Sequence, residues 1–296
     1  MTKFKASGVI PPMITPFTKL GDIDERALRE VVDFEAKHND GIFPLGTYGS
    51  GPLMDIGNRK KAAEIIINQV NGQIPVIVHV GAASTKDTVE LAQHAAKAGA
   101  TAVASIVPFY YLWSENQLSE HFKAIINSVD IPVYIYNNPA CGRNTVTPIL
   151  LEKLADAGLA GIKDSAFDIG VFYDFQRNVT KPNFDFIIGT EALILPAFIN
   201  GCQAVVSGVA IAFPEVIHEL VDACKKKDWE LAAKKQMLVR TVREIMHLAP
   251  SVSAIHAFLK MRGIDAGYPK QPFKLVDENT YSEMENRLIK KGLLKK

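Results

Sequence analysis

The sequence predicts an α/β protein, a (β/α)8 TIM barrel with a C-terminal helical extension. Three observations carry this. Short β-rich runs recur eight times, each followed by a helix-like stretch. Several of the runs are apolar throughout rather than alternating, as parallel strands buried on both faces must be. The chain also lacks GxGxxG and GxxxxGK[ST], one of which a doubly wound nucleotide-binding sheet would be expected to carry.

The β-rich runs, in order, are Val9–Ile14, Gly41–Leu45, Pro75–Val80, Ala102–Val107, Pro132–Tyr136, Leu159–Lys163, Phe184–Gly189 and Gln203–Ser207. Between them lie helix signals. Asp24 to Lys37 intersperses charges with Leu28, Val31, Val32 and Phe34. Ser84–Asp87 and Ser114–Gln117 have capping-box spacing. Thr147-Pro148 places a cap before a first-turn proline, and Pro214 opens a further helix in the same way. Beyond it, Trp229–His247, Ser251–Arg262 and Tyr281–Lys291 exceed eight strand–helix pairs. The expected organisation is therefore a barrel over residues 1–227 and a helical extension over 228–296 packed on it as one unit.

Composition narrows the function classes. The 296 residues carry 33 Lys+Arg against 32 Asp+Glu, a net charge of +1, which argues against nucleic acid or an anionic membrane as partner. Lys225-Lys226-Lys227 reads as a solvated helix end. Three scattered cysteines, Cys141, Cys202 and Cys224, describe no disulfide framework. Together with the lack of an apolar leader pattern in Met1–Ile10, they point to a cytoplasmic setting. The longest apolar run, Ala204–Phe213, is too short to span a bilayer. The 7 histidines show no HxH or HExxH spacing, so no metal site is expected.

In a parallel barrel the chemistry sits at the C-terminal strand ends. Those ends are Gly46-Thr47-Tyr48-Gly49-Ser50-Gly51, Pro108-Phe109-Tyr110-Tyr111, Tyr136-Asn137, Lys163, Gly189-Thr190-Glu191 and Ser207-Gly208. Lys163 closes the apolar run Leu159-Ala160-Gly161-Ile162. Desolvation lowers a lysine pKa, and a neutral amine attacks carbonyls. Around it are phenols that relay protons and amides that hold a carboxylate. Each residue also has an ordinary reading. A strand-end lysine is more often a snorkelling surface residue, or is paired with a neighbour such as Asp164. Tyr136 reads as a core tyrosine, 46–51 as a plain turn, and His79 as a satisfied core histidine.

Gly46-Thr47-Tyr48-Gly49, Tyr136-Asn137-x-Pro139 and Gly161-Ile162-Lys163-Asp164, in that order and spacing, resemble the class I pyruvate-dependent aldolases, the dihydrodipicolinate synthase / N-acetylneuraminate lyase family. The likeness runs from about Gly8 to the C-terminus. It implies that Lys163 forms a Schiff base with a 2-keto acid such as pyruvate and that Tyr136 shuttles protons. Thr47 would link Tyr136 to Tyr110, which reaches across a subunit contact. Amides of Tyr48 and Gly49 would hold the carboxylate, and Val206 would line the pyruvate pocket. Gly189, Thr190 and Glu191 are candidate substrate contacts. The resemblance further implies no cofactor beyond the covalent imine, an aldehyde as second product, and a homotetramer built as a dimer of dimers.

Departures from the family pattern narrow the substrate. Tyr48 stands where a second Thr or Ser is usual, and Ser50 where a glutamate is usual. Cys141 occupies the place of the arginine that dihydrodipicolinate synthases use for their aldehyde substrate; Arg143 lies two places later. Of the acid pair and serine of sialate lyases, only Glu191 remains, beside Ala192 and Gly208. The stretch His79-Val80-Gly81-Ala82-Ala83-Ser84 resembles the sialate lyase branch, whereas Pro108–Tyr111, Ser114-Glu115, His121-Phe122-Lys123 and Gly267-Tyr268-Pro269 resemble the 2-keto-3-deoxygluconate-type aldolases; the pocket positions weigh more because they touch the substrate. The expected activity is reversible cleavage of a 2-keto-3-deoxy sugar acid to pyruvate and an aldehyde. The alternatives are a sialate lyase, a dihydrodipicolinate synthase, a related dehydratase or deaminase, and a non-catalytic pyruvate-binding protein.

Overall fold

A computed structural model describes residues 4–295; Met1–Lys3 and Lys296, included in the two spans and the leader reading above, lie outside the described residues. Seven parallel strands form one sheet: β1 Gly8–Ile10, β2 Ile77–His79, β3 Ala102–Ile106, β4 Val133–Asn137, β5 Gly161–Asp164, β6 Asp185–Ile188 and β7 Ala204–Val206. Their order is β1-β7-β6-β5-β4-β3-β2, so β2 to β7 pair in sequence order, β7 returns to β1, and β1 and β2 stand at the two edges.

The second run, Gly41–Leu45, completes the ring as its eighth member without being a regular strand, which corrects the expectation for it. It keeps one parallel bridge, Ile42 to Val76. On one side Asp40 N donates to Val9 O (3.0 Å) and Phe43 N to Pro11 O (2.9 Å). On the other, Ile77 N donates to Ile42 O (2.9 Å) and His79 N to Pro44 O (3.0 Å). Pro44 in this run, and Pro11 and Pro75 in the segments on either side, supply no N–H, so the ladder is interrupted while the closure holds.

Twelve helices accompany the strands among the described residues: α1 Glu25–His38, α2 Ile56–Val70, α3 Thr85–Ala98, α4 Glu115–Ile126, α5 Pro139–Gly142, α6 Pro148–Asp156, α7 Ile169–Asn178, α8 Ile194–Ile199, α9 Pro214–Lys225, α10 Trp229–Met246, α11 Ser251–Met261 and α12 Glu278–Lys290. Their starts follow local chemistry. Ser114 and Gln117 form a complete capping box, whereas Ser84 makes only the forward bond to Asp87 N. α12 starts at Glu278, three residues before the expected Tyr281, because Asp277 caps it by accepting from Thr280 N. Lys225 ends α9, as a cation suits that pole. No helix among the described residues is long and apolar enough to cross a membrane.

The core has two parts. A large one lies between strands and helices. A smaller one fills the barrel, where Ile10, Phe43, Ile77, Ala104, Tyr134, Ile187 and Val206 converge. Inward-facing positions alternate along each strand, so Tyr134 and Tyr136 share a face, as do Gly161 and Lys163. The register sets Gly161 beside Tyr134 and Lys163 beside Tyr136. β5 runs on to Asp164, which makes Lys163 its penultimate rather than its last residue. The extension helix α10 packs on the barrel through Gln236, which donates to Glu191 O (2.8 Å) and accepts from Leu195 N (3.0 Å).

Candidate active site

Lys163 is 4% exposed and ends between two rings. Its Nζ lies 3.7 Å from the centroid of Tyr136 and 4.3 Å from that of Phe43. No carboxylate among the described residues comes within ion-pair distance of it. The Asp164 partnership is excluded because consecutive strand residues point to opposite faces. Asp164 Oδ1 instead accepts from Asn137 Nδ2 (2.6 Å) and Ala166 N (3.3 Å). Burial pulls the Lys163 pKa down, opposed by the Tyr136 phenol beside it.

The Tyr136 hydroxyl accepts from Asn138 Nδ2 at 2.9 Å and lies 3.4 Å from Thr47 Oγ1. Because Asn138 occupies an acceptor lobe, the phenolic proton is directed elsewhere, toward Thr47 or a bound substrate. Neither the Tyr48 nor the Gly49 amide donates to another group among the described residues. Donors so placed suit a carboxylate. Gly49 itself does not line the cavity. Its carbonyl accepts from Thr15 Oγ1 (2.8 Å), and a Cβ there would meet Leu45 N at 2.6 Å, so only glycine allows the turn to pack this closely.

A cavity of about 100 Å³ opens above Lys163, lined by Thr47, Tyr48, Tyr136 and Val206 among others. Gly189, Thr190 and Glu191 line it as well. Gly189 is required by close approach, since a Cβ would fall 2.1 Å from Ser165 Oγ. The Thr190 hydroxyl is occupied as a cap, accepting from Ala192 N (3.2 Å). Buried Glu191 accepts from Ser207 Oγ (3.1 Å) and Gly208 N (3.2 Å) through one oxygen. Its other oxygen is 3.0 Å from Arg243 Nε, an ion pair whose N–H points off the line of a hydrogen bond.

Tyr110 is not part of this cavity. It is 71% exposed, packs edge-on against Tyr111 at 5.0 Å, and holds a positive φ of 81°. A bulky residue in that backbone region is strained, and such strain gathers at functional positions. His79 is the satisfied core histidine expected. Its Nδ1 lies 3.2 Å from Leu45 O and its Nε2 accepts from Ile106 N at 3.2 Å, a pattern that fits the neutral ring.

The structure adds residues that the sequence reading did not single out. Asn138 orients the phenol. Arg243 arrives from α10 and stacks its guanidinium 5.1 Å from the Phe167 ring centroid. Phe167 is held at φ 60° at the pocket mouth. Asn138 has a sequence signal, being next to Tyr136-Asn137 and before a proline that turns the chain. Arg243 has none, because its helix reads only as amphipathic.

Fold and pocket define an α/β-barrel lyase, with a buried amine and a phenol at the strand ends. The chain belongs to the dihydrodipicolinate synthetase family, whose model matches residues 5–291, and it is a carbon–carbon lyase. A DapA-like lyase of Halobacterium salinarum is 35% identical over 97% of this chain and 94% of its own. A probable 2-dehydro-3-deoxy-D-pentonate aldolase of Escherichia coli K12, YjhH, is 30% identical over 98% and 99%. Other relatives, at 29–32% identity, are 4-hydroxy-tetrahydrodipicolinate synthases. Among solved structures, Escherichia coli K12 YagE in complex with pyruvate superposes with a TM-score of 0.93 at 28% identity, covering 97% of this chain and 99% of that one.

Proposed function

We propose that the chain is a Schiff-base aldolase that reversibly cleaves a 2-keto-3-deoxy sugar acid to pyruvate and an aldehyde. The observation that carries this is the buried, carboxylate-free Lys163 amine against the Tyr136 ring. Its Nζ adds to the C2 keto carbon and water leaves, giving a protonated imine. The Tyr136 phenol, its oxygen held by Asn138, gives its proton to the departing carbinolamine hydroxyl, and the resulting phenolate then takes the proton of the C4 hydroxyl. The C3–C4 bond then breaks, its electron pair enters the iminium as an enamine, and the aldehyde departs. Protonation at C3 and hydrolysis release pyruvate and restore the amine. The steps balance with water alone and draw on no further cofactor.

The substrate reading draws on pocket chemistry. Cys141, not an arginine, follows Pro139, and Arg143 donates to the Tyr110 carbonyl (3.4 Å), so it is directed to the outer loop. That disfavours the dicarboxylic product of the synthases. Glu191 alone survives of the sialate lyase acid pair, and here it is engaged by Arg243, Ser207 and Gly208. The Escherichia coli relative named for a five-carbon keto-deoxy acid supports the same substrate class.

Borohydride with pyruvate tests the chemistry. The expected result is a mass adduct on Lys163 that Lys163→Ala abolishes, together with retro-aldol activity lost by about 10⁴-fold or more, the usual scale for a deleted nucleophile. A folded wild-type protein that forms no adduct refutes it. The exposed Tyr110, Tyr111 and Leu112 support the further reading of a dimer of dimers, with Tyr110 at the tighter contact, and light scattering would report four 32.5 kDa chains.

A further inference from the structure

The pocket above Lys163 is short, and Tyr48 makes it so. The side chain leaves the loop after the irregular Gly41–Leu45 run and reaches Gly208 beyond the end of β7, which stands one strand further round the ring past β1. There its ring lies directly on Gly208. A Cβ at that position would come 2.4 Å from the Tyr48 hydroxyl oxygen and 2.6 Å from its Cζ, so only a glycine fits beneath the phenol. Beyond Gly208 the Tyr48 hydroxyl lies 3.9 Å from Met246 Sδ of α10. Glu191 stands behind the contact, fixed by Gly208 N and Arg243. Burial, and then the Glu191 carboxylate, push the phenol pKa up, so the hydroxyl stays protonated.

Three elements therefore hold the ring in one place. What it leaves is a cavity of about 100 Å³. Small-molecule sites commonly span roughly 300–1,000 Å³. The pyruvate half of any substrate takes the space next to Lys163, Thr47 and Val206. The part that departs as aldehyde must share what remains of this cavity with the Tyr48 ring, which lines it.

We propose that Tyr48 sets the length of substrate this site accepts: lying against Gly208, it takes up part of the small cavity above Lys163, which selects five-carbon 2-keto-3-deoxy acids over six- and nine-carbon ones. The proposal rests on the aldolase reading above. A tail one carbon too long must displace the ring or leave a polar end unpaired. Mismatches of that size are worth about 10–200-fold in kcat/KM.

The test is kcat/KM for 2-keto-3-deoxypentonate and 2-keto-3-deoxyhexonate, measured side by side by pyruvate release. Wild type is expected to favour the five-carbon acid by about tenfold or more. Tyr48→Thr, which keeps a hydroxyl and removes the ring, is expected to bring the ratio to within about threefold. Tyr48→Phe keeps the ring and is expected to keep the preference. The ratio cancels changes in binding the shared pyruvate half. Wild type cleaving both acids equally well overturns the proposal, whether or not any variant folds, and so does an unchanged ratio in Tyr48→Thr. Borohydride–pyruvate adducts are measured in parallel. Adduct formation with equal rates on both acids refutes the length filter alone, whereas no adduct in wild type refutes the aldolase reading beneath it.

Discussion

Tyr134 and Tyr136 lie two residues apart on β4 and point into the same barrel, yet they stand in opposite chemical situations. At the floor, the Tyr134 hydroxyl donates to Asp185 Oδ2 (2.7 Å), which also accepts from Ala6 N (2.9 Å). Its ring covers Gly161, where a Cβ would lie 2.8 Å from Tyr134 Cε1. Burial and the Asp185 charge push its pKa up, so the proton is locked in place. At the rim, about 6.6 Å along the strand, Tyr136 faces Lys163 in place of glycine. It meets an amide donor and a threonine hydroxyl in place of a carboxylate. A phenol whose proton is held by a fixed acceptor seals a barrel. One whose oxygen is held by a donor keeps a proton to move. The difference between scaffold and chemistry here lies in hydrogen-bond polarity rather than residue type.

Removing each hydroxyl in turn is the strongest way to break this contrast. Tyr136→Phe is expected to lower retro-aldol kcat by about 10²–10⁴-fold, the usual worth of a positioned proton shuttle, with the melting temperature nearly unchanged. Tyr134→Phe is expected to do the reverse. It withdraws a donor from a buried carboxylate, so denaturant unfolding should show a loss of about 1–3 kcal/mol, with kcat within a few-fold of wild type. If both variants lose activity equally and neither loses stability, the floor and the rim do not divide the work in this way.

Legibility in the sequence follows the same division. The strand positions could be read because parallel strands buried on both faces are apolar runs, and Tyr136 and Lys163 could be read because they close such runs within specific motifs. The Gly41–Leu45 run was legible as a position but not as irregular backbone. Pro11, Pro44 and Pro75 are visible in the sequence, but which N–H groups the ladder needs is a property of the closed ring. Side chains on loops carry no periodicity. The sequence therefore marked Tyr48 as a departure from the family pattern without showing that it would reach Gly208. Arg243 was invisible for another reason. Its partner Glu191 lies at a strand end while it sits on an extension helix, and only tertiary packing joins them. Tyr110 was legible as a motif residue, but a single chain places it on the surface rather than beside Thr47.

The smallest expected effect sharpens the contrast on β5, where Gly161 at the floor costs little and Lys163 at the rim is a buried amine. Burial holds the folded Lys163 pKa below its ordinary 10.5. Between that lowered value and 10.5, the unfolded chain keeps a proton on this amine that the folded chain has released. Stability therefore rises with pH across that window, and below it the full cost of burying the cation is present. Lys163→Met replaces the amine with an apolar chain of similar length. At neutral pH the variant should melt higher than wild type by about 2–4 °C for each kcal/mol recovered. The gap should narrow as pH climbs toward 10.5, because wild type then gains stability that the variant has no group to gain. Melting curves of both proteins across that range decide the matter. A gap that does not change with pH would mean that Lys163 is not a strained buried base, and that its reactivity comes from the bound substrate rather than from the site that holds it.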